Sequence, residues 1–205
     1  GKALITCLAR LDGHPVGVIA NNPMVYGGAM DGPAARKQVR FVELCDMFHI
    51  PLVFLVDVPG FLIGVEGERK AAPGKIINWM NALALCTVPK ISIILRKSYG
   101  QAYINMGGNK NADDVCAWVS AEVSFMDPAF AVNVVHGKEG QRLEVDDPAL
   151  FEAAYAKIQQ ENSVWDLAAC YAVQQVIKPE ETRDWLVRML QVHQRRLTGG
   201  VGRHL

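Results

Sequence analysis

Hydrophobic positions in the first fifty residues follow two different periods. Apolar residues dominate residues 3–11 and 15–20, and Asp12-Gly13 between them is typical of a tight hairpin turn. From residue 34 to residue 48 apolar side chains recur at helical spacing, and Asp31 is placed to cap that helix. The pattern predicts a β-hairpin followed by an amphipathic helix.

Two nearly unbroken apolar runs come next, at residues 52–56 and 91–95. Each run is preceded by a proline and followed by a loop that contains glycine, and a helical pattern over roughly residues 74–86 separates them. Unbroken apolar strands separated by helices are typical of a parallel sheet covered on both faces. The fold class predicted by this arrangement is α/β.

The pattern becomes more helical towards the end of the chain. The predicted elements up to residue 145 are short strands at 115–119 and 123–126, a helix from Asp127-Pro128 to residue 135, and a surface loop over 136–145. Three more helices are predicted after it: one begins at Asp147-Pro148, one begins at the capping sequence of Ser163 and has an apolar face that reaches Gln174, and the last runs from Pro179 to Arg196. We therefore predict one domain over residues 1–205, with a core over 1–135 and C-terminal helices over 146–205.

Composition and charge narrow the possible functions. The 205 residues are half hydrophobic, and 21 basic residues balance 21 acidic ones, so no net charge favours binding to nucleic acid or to an anionic membrane. The five cysteines are widely spaced, which argues against a disulfide framework and favours a reducing compartment. The N-terminal residues lack the layout of a signal peptide, and no apolar run has the length of a membrane span. We expect a cytoplasmic protein, or one of the mitochondrial matrix in a eukaryote.

The two loops that follow the apolar strands are the candidate sites for chemistry, because ligands of parallel α/β folds gather where strands end. The first loop covers residues 57–64 and contains Pro59-Gly60, which on its own is also compatible with a simple chain reversal. The second begins at Tyr99-Gly100. If a helix starts there, its first backbone amides have no partner within the helix and suit a developing oxyanion.

Side-chain catalysts are harder to identify. Nucleophile-elbow, phosphate-loop, zinc-protease and dinucleotide-binding motifs are absent, and the five histidines are scattered. Glu66 and Glu68 could act as general acid and base on a bound thioester, although exposed loop carboxylates are the simpler interpretation. No metal site is predicted.

Several separated motifs, in a fixed order, resemble one enzyme family. They are Gly17-Val-Ile-Ala-Asn-Asn-Pro23, Phe48-His-Ile-Pro51, Val56-Asp-Val-Pro-Gly-Phe61, Val88-Pro-Lys90, Arg96-Lys-Ser-Tyr-Gly100 and Ile177-Lys-Pro-Glu-Glu-Thr-Arg183. This order is similar to the C-terminal domain of the biotin-dependent acyl-CoA carboxyltransferases, of the propionyl-CoA and methylcrotonoyl-CoA carboxylase β-subunit type. The resemblance implies a crotonase-like superhelix of ββα units with C-terminal helices.

The resemblance also implies roles for individual residues. Backbone amides of Gln101 and Ala102 would form the oxyanion hole for biotin, whereas Pro59, Gly60, Phe61, Gly100 and Tyr103 would bind biotin or carboxybiotin. The family usually has glycine at the position of Gln101. Ile104 is apolar where propionyl-type members carry an acidic residue, so it is the candidate for substrate selectivity.

The implied function is transfer of a carboxyl group from carboxybiotin to the α-carbon of a short acyl-CoA such as propionyl-CoA. The implied partners are a carboxyltransferase N-terminal domain, a biotin carboxyl carrier protein, a biotin carboxylase and further copies of the chain in a hexamer, a trimer of dimers. Biotin would be carried on a separate carrier protein or domain. The alternatives are a subunit of a biotin-dependent decarboxylase or transcarboxylase, a free-standing crotonase-type CoA enzyme, and an assembly domain that is inert in isolation.

Overall fold

The computed structural model describes residues 1–62, 64, 72–108, 111–138 and 141–199. Its strands are β1 (Leu4–Leu11), β2 (His14–Asn21), β3 (Leu52–Val58), β4 (Lys90–Tyr99), β5 (Asp114–Trp118), β6 (Glu122–Ser124) and β7 (Gln175–Ile177). Its α-helices are α1 (Gly32–Met47), α2 (Ala72–Leu85), α3 (Gln101–Asn105), α4 (Pro128–His136), α5 (Leu143–Asp146), α6 (Pro148–Glu161), α7 (Val164–Ala169) and α8 (Thr182–Gly199).

The first two strands form the predicted hairpin, and the helix after them begins where its cap predicts. Asp12 and Gly13 both adopt positive φ, at 51° and 83°, which is the backbone geometry that a tight hairpin turn needs. The Asp31 side chain accepts a hydrogen bond of 2.7 Å from the amide of Ala34 at the start of α1. The hairpin and capping predictions for this part of the chain are therefore confirmed.

The strands form one seven-stranded sheet in the order β1-β2-β3-β4-β5-β7, with β6 paired to the end of β4. Among the strands of the described residues, the hairpin pair β1 and β2 is antiparallel, and the pairs from β2 onwards are parallel. Because parallel neighbours point the same way, the loops that follow β3 and β4 leave the sheet at the same edge.

Helices cover both faces of the sheet, which explains why β3 and β4 read as unbroken apolar runs. On one face Phe54 and Ile94 pack with Trp79 of α2 in a cluster that also includes α1. On the other face Val53 and Ile93 pack with α8 in a cluster of Trp185, Leu186 and Leu190. Successive side chains of each strand point to opposite faces, and the predicted parallel sheet covered on both faces is confirmed.

The structure corrects three predictions near the C-terminus. The expected loop over 136–145 contains the start of the short helix α5, and the helix after Ser163 ends at Ala169 instead of continuing to Gln174. Tyr171 has φ 59°, which no α-helix tolerates, and the chain then enters β7. Residues 146–199 thus add a strand to the sheet as well as helices, because β7 pairs with β5.

Three of the five cysteines are core residues. Cys45, Cys86 and Cys116 are buried, whereas Cys7 and Cys170 are exposed. Burial raises the pKa of Cys45 to about 11 and that of Cys86 to about 12, so neither thiol forms a thiolate near neutral pH. None of the helices in the described ranges is long and apolar enough to cross a bilayer.

Candidate functional site

The candidate site lies where β3 and β4 end side by side. Val58 of β3 is paired with Ser98 of β4, and the register shifts between Val56 and Val58. A β-bulge of this kind bends a strand and redirects the residues that follow it. The first loop therefore leaves the end of β3 beside the end of β4, where the second loop begins at Gly100.

A hydrogen-bonded carboxylate fixes the bulge. The Asp57 side chain accepts two hydrogen bonds from the Arg96 guanidinium, 3.2 Å from Nε and 2.9 Å from Nη2, and a third of 3.3 Å from the amide of Lys97. The side-chain amide oxygen of Asn21 accepts a hydrogen bond of 3.0 Å from the Asp57 amide. Hydrogen bonding and the charge of Asp57 raise the pKa of Arg96. Asp57 therefore has a structural role, holding the ends of β2, β3 and β4 together.

The first loop is anchored at both sides of Gly60, which has φ 141°. Met30 donates a hydrogen bond of 3.0 Å to the Gly60 carbonyl, and its own carbonyl accepts one of 2.9 Å from Leu62. The ring of Phe61 packs edge-on against Trp79 of α2, with centroids 5.8 Å apart. Pro59, Gly60 and Phe61 are all partly exposed at this edge of the sheet.

The second loop is a sharp strand-to-helix turn at Gly100. Its φ of 62° and ψ of −152° belong to a region that glycine occupies almost exclusively. The Gly100 amide donates to the carbonyl of Ser124, at 2.9 Å, and α3 begins at the next residue. A helix therefore does start beside Gly100, which is the condition on which the sequence interpretation of this loop depended.

The first two amides of α3 have no acceptor among the described residues, and in this sense they are free donors. Within the described residues neither the Gln101 amide nor the Ala102 amide donates to another backbone or side-chain group, as expected for the first turn of a helix. Gln101 does not have positive φ, so its position does not demand glycine. Its side chain instead contacts the sulfur of Met80 on α2, at 2.9 Å.

The next two residues of α3 are partly buried. The ring of Tyr103 lies directly over Gly108, where a β-carbon would come within 2.4 Å of the ring. The carbonyl of Ile104 accepts a hydrogen bond of 3.1 Å from the Asn111 side chain. The two loops are thus joined through α2, which contacts Phe61 by Trp79 and Gln101 by Met80. Glu66 and Glu68 lie outside the described residues.

Sequence reasoning missed several residues of this edge. Ser98 precedes the second loop, is fully buried, and its hydroxyl has no hydrogen-bond partner among the described residues. Tyr99 donates a hydrogen bond of 2.7 Å to Glu122 of β6, and burial together with this hydrogen bond raises the pKa of Tyr99. Neither role has a local sequence signal, because each depends on a strand that pairs only in the folded chain.

A separate groove of about 510 Å³ lies between β1 and α1. Its lining includes the basic residues Arg36, Lys37 and Arg40 of α1. All three are exposed, and Lys37 donates a hydrogen bond of 2.7 Å to the carbonyl of Leu4. None of the predicted site residues lines this groove.

The fold and the site together define a class of protein. The chain is a parallel α/β domain whose strand-end loops present paired backbone amides, an arrangement able to stabilise a negatively charged oxygen. The family model of the carboxyl transferase domain matches residues 1–199, and the chain belongs to that family.

Known relatives agree with this assignment. The chain is 40% identical over 193 residues to the methylmalonyl-CoA carboxyltransferase 12S subunit of Propionibacterium freudenreichii subsp. shermanii, covering 93% of this chain and 36% of the relative. It is 38% identical over 189 residues to the α subunit of methylmalonyl-CoA decarboxylase from Veillonella parvula, covering 91% and 35%. The chain spans little more than a third of the length of these relatives.

A solved structure confirms the predicted fold class. The crystal structure of transcarboxylase 12S, described as a hexamer assembly with methylmalonyl-coenzyme A and methylmalonic acid bound, superposes with a TM-score of 0.87 at 37% identity. The alignment covers 99% of this chain and 38% of the transcarboxylase chain. The predicted resemblance to the carboxyltransferase family is likewise confirmed.

Proposed function

We propose that this chain forms the biotin-binding half of an acyl-CoA carboxyltransferase. One observation carries the proposal: the turn at Gly100 presents the free amides of Gln101 and Ala102 at the sheet edge shared with the loop of Pro59, Gly60 and Phe61. The similarity to a methylmalonyl-CoA carboxyltransferase subunit supports the same assignment.

The residues present fit a cyclic urea such as that of biotin. The amides of Gln101 and Ala102 can donate to its oxygen, and Phe61 and Tyr103 offer apolar ring surface for the rest of the molecule. At Gly60 no atom of the described residues lies within 4 Å of the position that a β-carbon would take, which suits the approach of a ligand to the backbone of the first loop. When bound, carboxybiotin supplies the activated carboxyl group.

The chain's own contribution to catalysis is electrostatic. Gln101 and Ala102 hold two N–H donors in fixed positions, so negative charge developing on a nearby oxygen is stabilised without reorganisation of the protein. Gly100 sets the direction of these donors, and Asp57 with Arg96 fixes the strand ends that carry both loops. No carboxylate base is required of the described residues in this mechanism.

A short acyl-CoA of the propionyl or methylmalonyl type is the proposed carboxyl acceptor or donor. The support is the named substrate of the relatives, methylmalonyl-CoA, together with the bound methylmalonyl-coenzyme A of the transcarboxylase structure. Ile104, which follows Tyr103 on α3, is the proposed selectivity residue on this chain. A larger or polar side chain there would change which acyl groups are accepted.

We propose partners for this chain because it spans little more than a third of the length of its relatives. A carboxyltransferase N-terminal half would hold the CoA thioester, and a biotin carboxyl carrier protein and a biotin carboxylase would deliver the carboxyl group. Assembly with further copies is proposed because the similar transcarboxylase structure is described as a hexamer. An isolated 205-residue chain would then be inactive.

A second candidate is a subunit of a biotin-dependent decarboxylase, which the similarity to the methylmalonyl-CoA decarboxylase α subunit favours. Both candidates use the same carboxyl transfer between biotin and acyl-CoA, and they differ in what happens to the carboxyl group afterwards. The site geometry is compatible with either direction.

Carboxyl exchange in the complete enzyme tests the proposed function. We expect transfer of labelled carboxyl from methylmalonyl-CoA to free biotin, and no turnover by residues 1–205 alone. Transfer that proceeds to free bicarbonate only when a partner subunit is added would favour the decarboxylase. Hydration of an enoyl-CoA without any biotin would instead support the crotonase-type alternative and contradict the proposal.

Replacing Gly100 by alanine in the complete enzyme should lower kcat by about tenfold, because the strain of a non-glycine residue at this φ and ψ is of order 1–3 kcal/mol. A β-carbon there would also lie 3.0 Å from the carbonyl of Phe125, so the turn must shift. Turnover with free biotin is the measurement. Gly74→Ala on α2 is the control, since a β-carbon there meets no atom within 4 Å. Equal kcat in both variants would contradict the role given to Gly100.

A further inference from the structure

Gln38 is a polar residue in an apolar place. It lies in the middle of α1 with no exposed surface, among helix positions that otherwise pack alanine, valine and cysteine into the core. Its side-chain Nε2 donates a hydrogen bond of 2.8 Å to the backbone carbonyl of Asn105. Asn105 is the last residue of α3, so Gln38 satisfies one of the carbonyls that a helix leaves unpaired at its C-terminus.

Asn105 completes a link between three helices. Its side chain is also fully buried, and its Nδ2 donates a hydrogen bond of 3.2 Å to the carbonyl of Ile76 on α2. The C-terminal end of α3 is therefore bonded to α1 through Gln38 and to α2 through Asn105. The N-terminal end of the same helix carries the free amides of Gln101 and Ala102.

The side-chain amides of Gln38 and Asn105 are costly to bury. Gln38 Oε1 and Asn105 Oδ1 have no hydrogen-bond partner among the described residues, and a buried acceptor without a partner destabilises the fold because its hydration is lost and not replaced. Apolar side chains of similar size would avoid this cost while filling the same space. What the amides provide instead is direction, because hydrogen bonds fix the position of a helix end more closely than apolar packing does.

A short helix needs such anchoring. With five residues α3 is far below the length at which a helix is stable on its own, so its position depends on its neighbours. We propose that Gln38 and Asn105 are positioning residues, which hold α3 so that its first two amides point at the site. The inference rests on the proposed function for the catalytic consequence, whereas the anchoring of α3 can be tested separately.

The test is Gln38→Met in the complete enzyme, which keeps the length of the side chain and removes the donor. Hydrogen exchange followed by mass spectrometry would be measured on a peptide covering residues 99–106. The reporters are the amides of Tyr103 and Met106, which donate to the carbonyls of Gly100 and Ala102. We expect their exchange to become about tenfold faster, because the helix opens more often. We also expect kcat with free biotin to fall by about ten- to a hundredfold, with KM for acyl-CoA unchanged.

Two further variants keep the test decisive. Gln38→Leu serves if the methionine variant does not fold, because it also lacks the donor. Gln174→Met is the matched control. It removes Gln174 Oε1, which accepts a hydrogen bond from the Val115 amide of β5. The control should leave exchange of residues 99–106 and the kcat with biotin unchanged.

The outcomes separate this inference from the proposed function. Faster exchange of residues 99–106 together with a loss in kcat alone supports positioning. Unchanged exchange overturns it whatever the kcat, and faster exchange with normal kcat overturns the catalytic part. If removal of the Ala102 amide leaves turnover intact, the proposed function of α3 fails, and exchange alone then decides whether Gln38 anchors the helix.

Discussion

Replacing Ala102 by proline in the complete enzyme is expected to lower turnover by about a hundred- to a thousandfold, equivalent to roughly 3–4 kcal/mol, because one of the two oxyanion donors is removed. The substitution is compatible with the local backbone. Ala102 is the second residue of α3, its amide has no intrahelical partner, and proline is tolerated in the first turn of a helix. The loss should therefore come from the missing N–H group.

The measurement is carboxyl transfer to free biotin, with the affinity for acyl-CoA determined separately. Ala102 has no exposed surface, so the added ring atoms need room, and the melting temperature and assembly of the variant must match the parent enzyme. Ala149→Pro is the matched control, since Ala149 occupies the same position in α6, where its side chain is exposed. The control should leave turnover unchanged.

Two results would count against the assignment of α3. Normal turnover of a correctly folded Ala102→Pro enzyme would exclude this helix start as an oxyanion site. A selective loss of affinity for acyl-CoA, with the kinetics towards biotin unchanged, would show that the loop binds the other ligand.

Local patterns were sufficient for most of the sheet. The strands β3 and β4 contain nearly unbroken apolar runs, at residues 52–56 and 91–95, because both of their faces are buried there, and a run of consecutive apolar residues can be recognised in the sequence. The strand β7 has no such property. Its three residues become a strand only by pairing with β5, about sixty positions earlier, and only one of them is buried. A non-local pairing of this kind leaves no periodic signal to read.

The same distinction applies to the candidate site. Both loops were located from glycine and proline beside apolar strands, and the free amides followed from helix geometry. The contacts that join the two loops could not be predicted. Trp79 contacts Phe61 and Met80 contacts Gln101, and both come from α2, a helix whose orientation depends on the packing of the whole core. The hydrogen bond from Gln38 to the carbonyl of Asn105 could not be predicted either, because it joins residues 67 positions apart.

Replacing Gly28 by alanine is expected to destabilise the protein by about 2–4 kcal/mol, through an unfavourable φ and a direct clash. Gly28 has φ 91°, and a β-carbon would lie 2.5 Å from the carbonyl oxygen of Asp57, a contact that only a movement of the backbone can relieve. The carbonyl of Gly28 also accepts a hydrogen bond of 3.4 Å from the Asn21 side chain. The strain therefore falls on the strand ends that carry the first loop.

Gly27→Ala isolates the contribution of the clash. Gly27 also has positive φ, at 63°, but a β-carbon there would meet no atom within 4 Å, so only the backbone preference is lost, about 1–2 kcal/mol. Denaturant unfolding of both variants in the complete enzyme measures the difference in the free energy of unfolding. A larger loss for Gly28→Ala, accompanied by lower turnover with biotin, is the expected result, because Asp57 positions the loop of Pro59 and Gly60. Equal losses in the two variants would show that the contact with Asp57 does not determine the position of this loop.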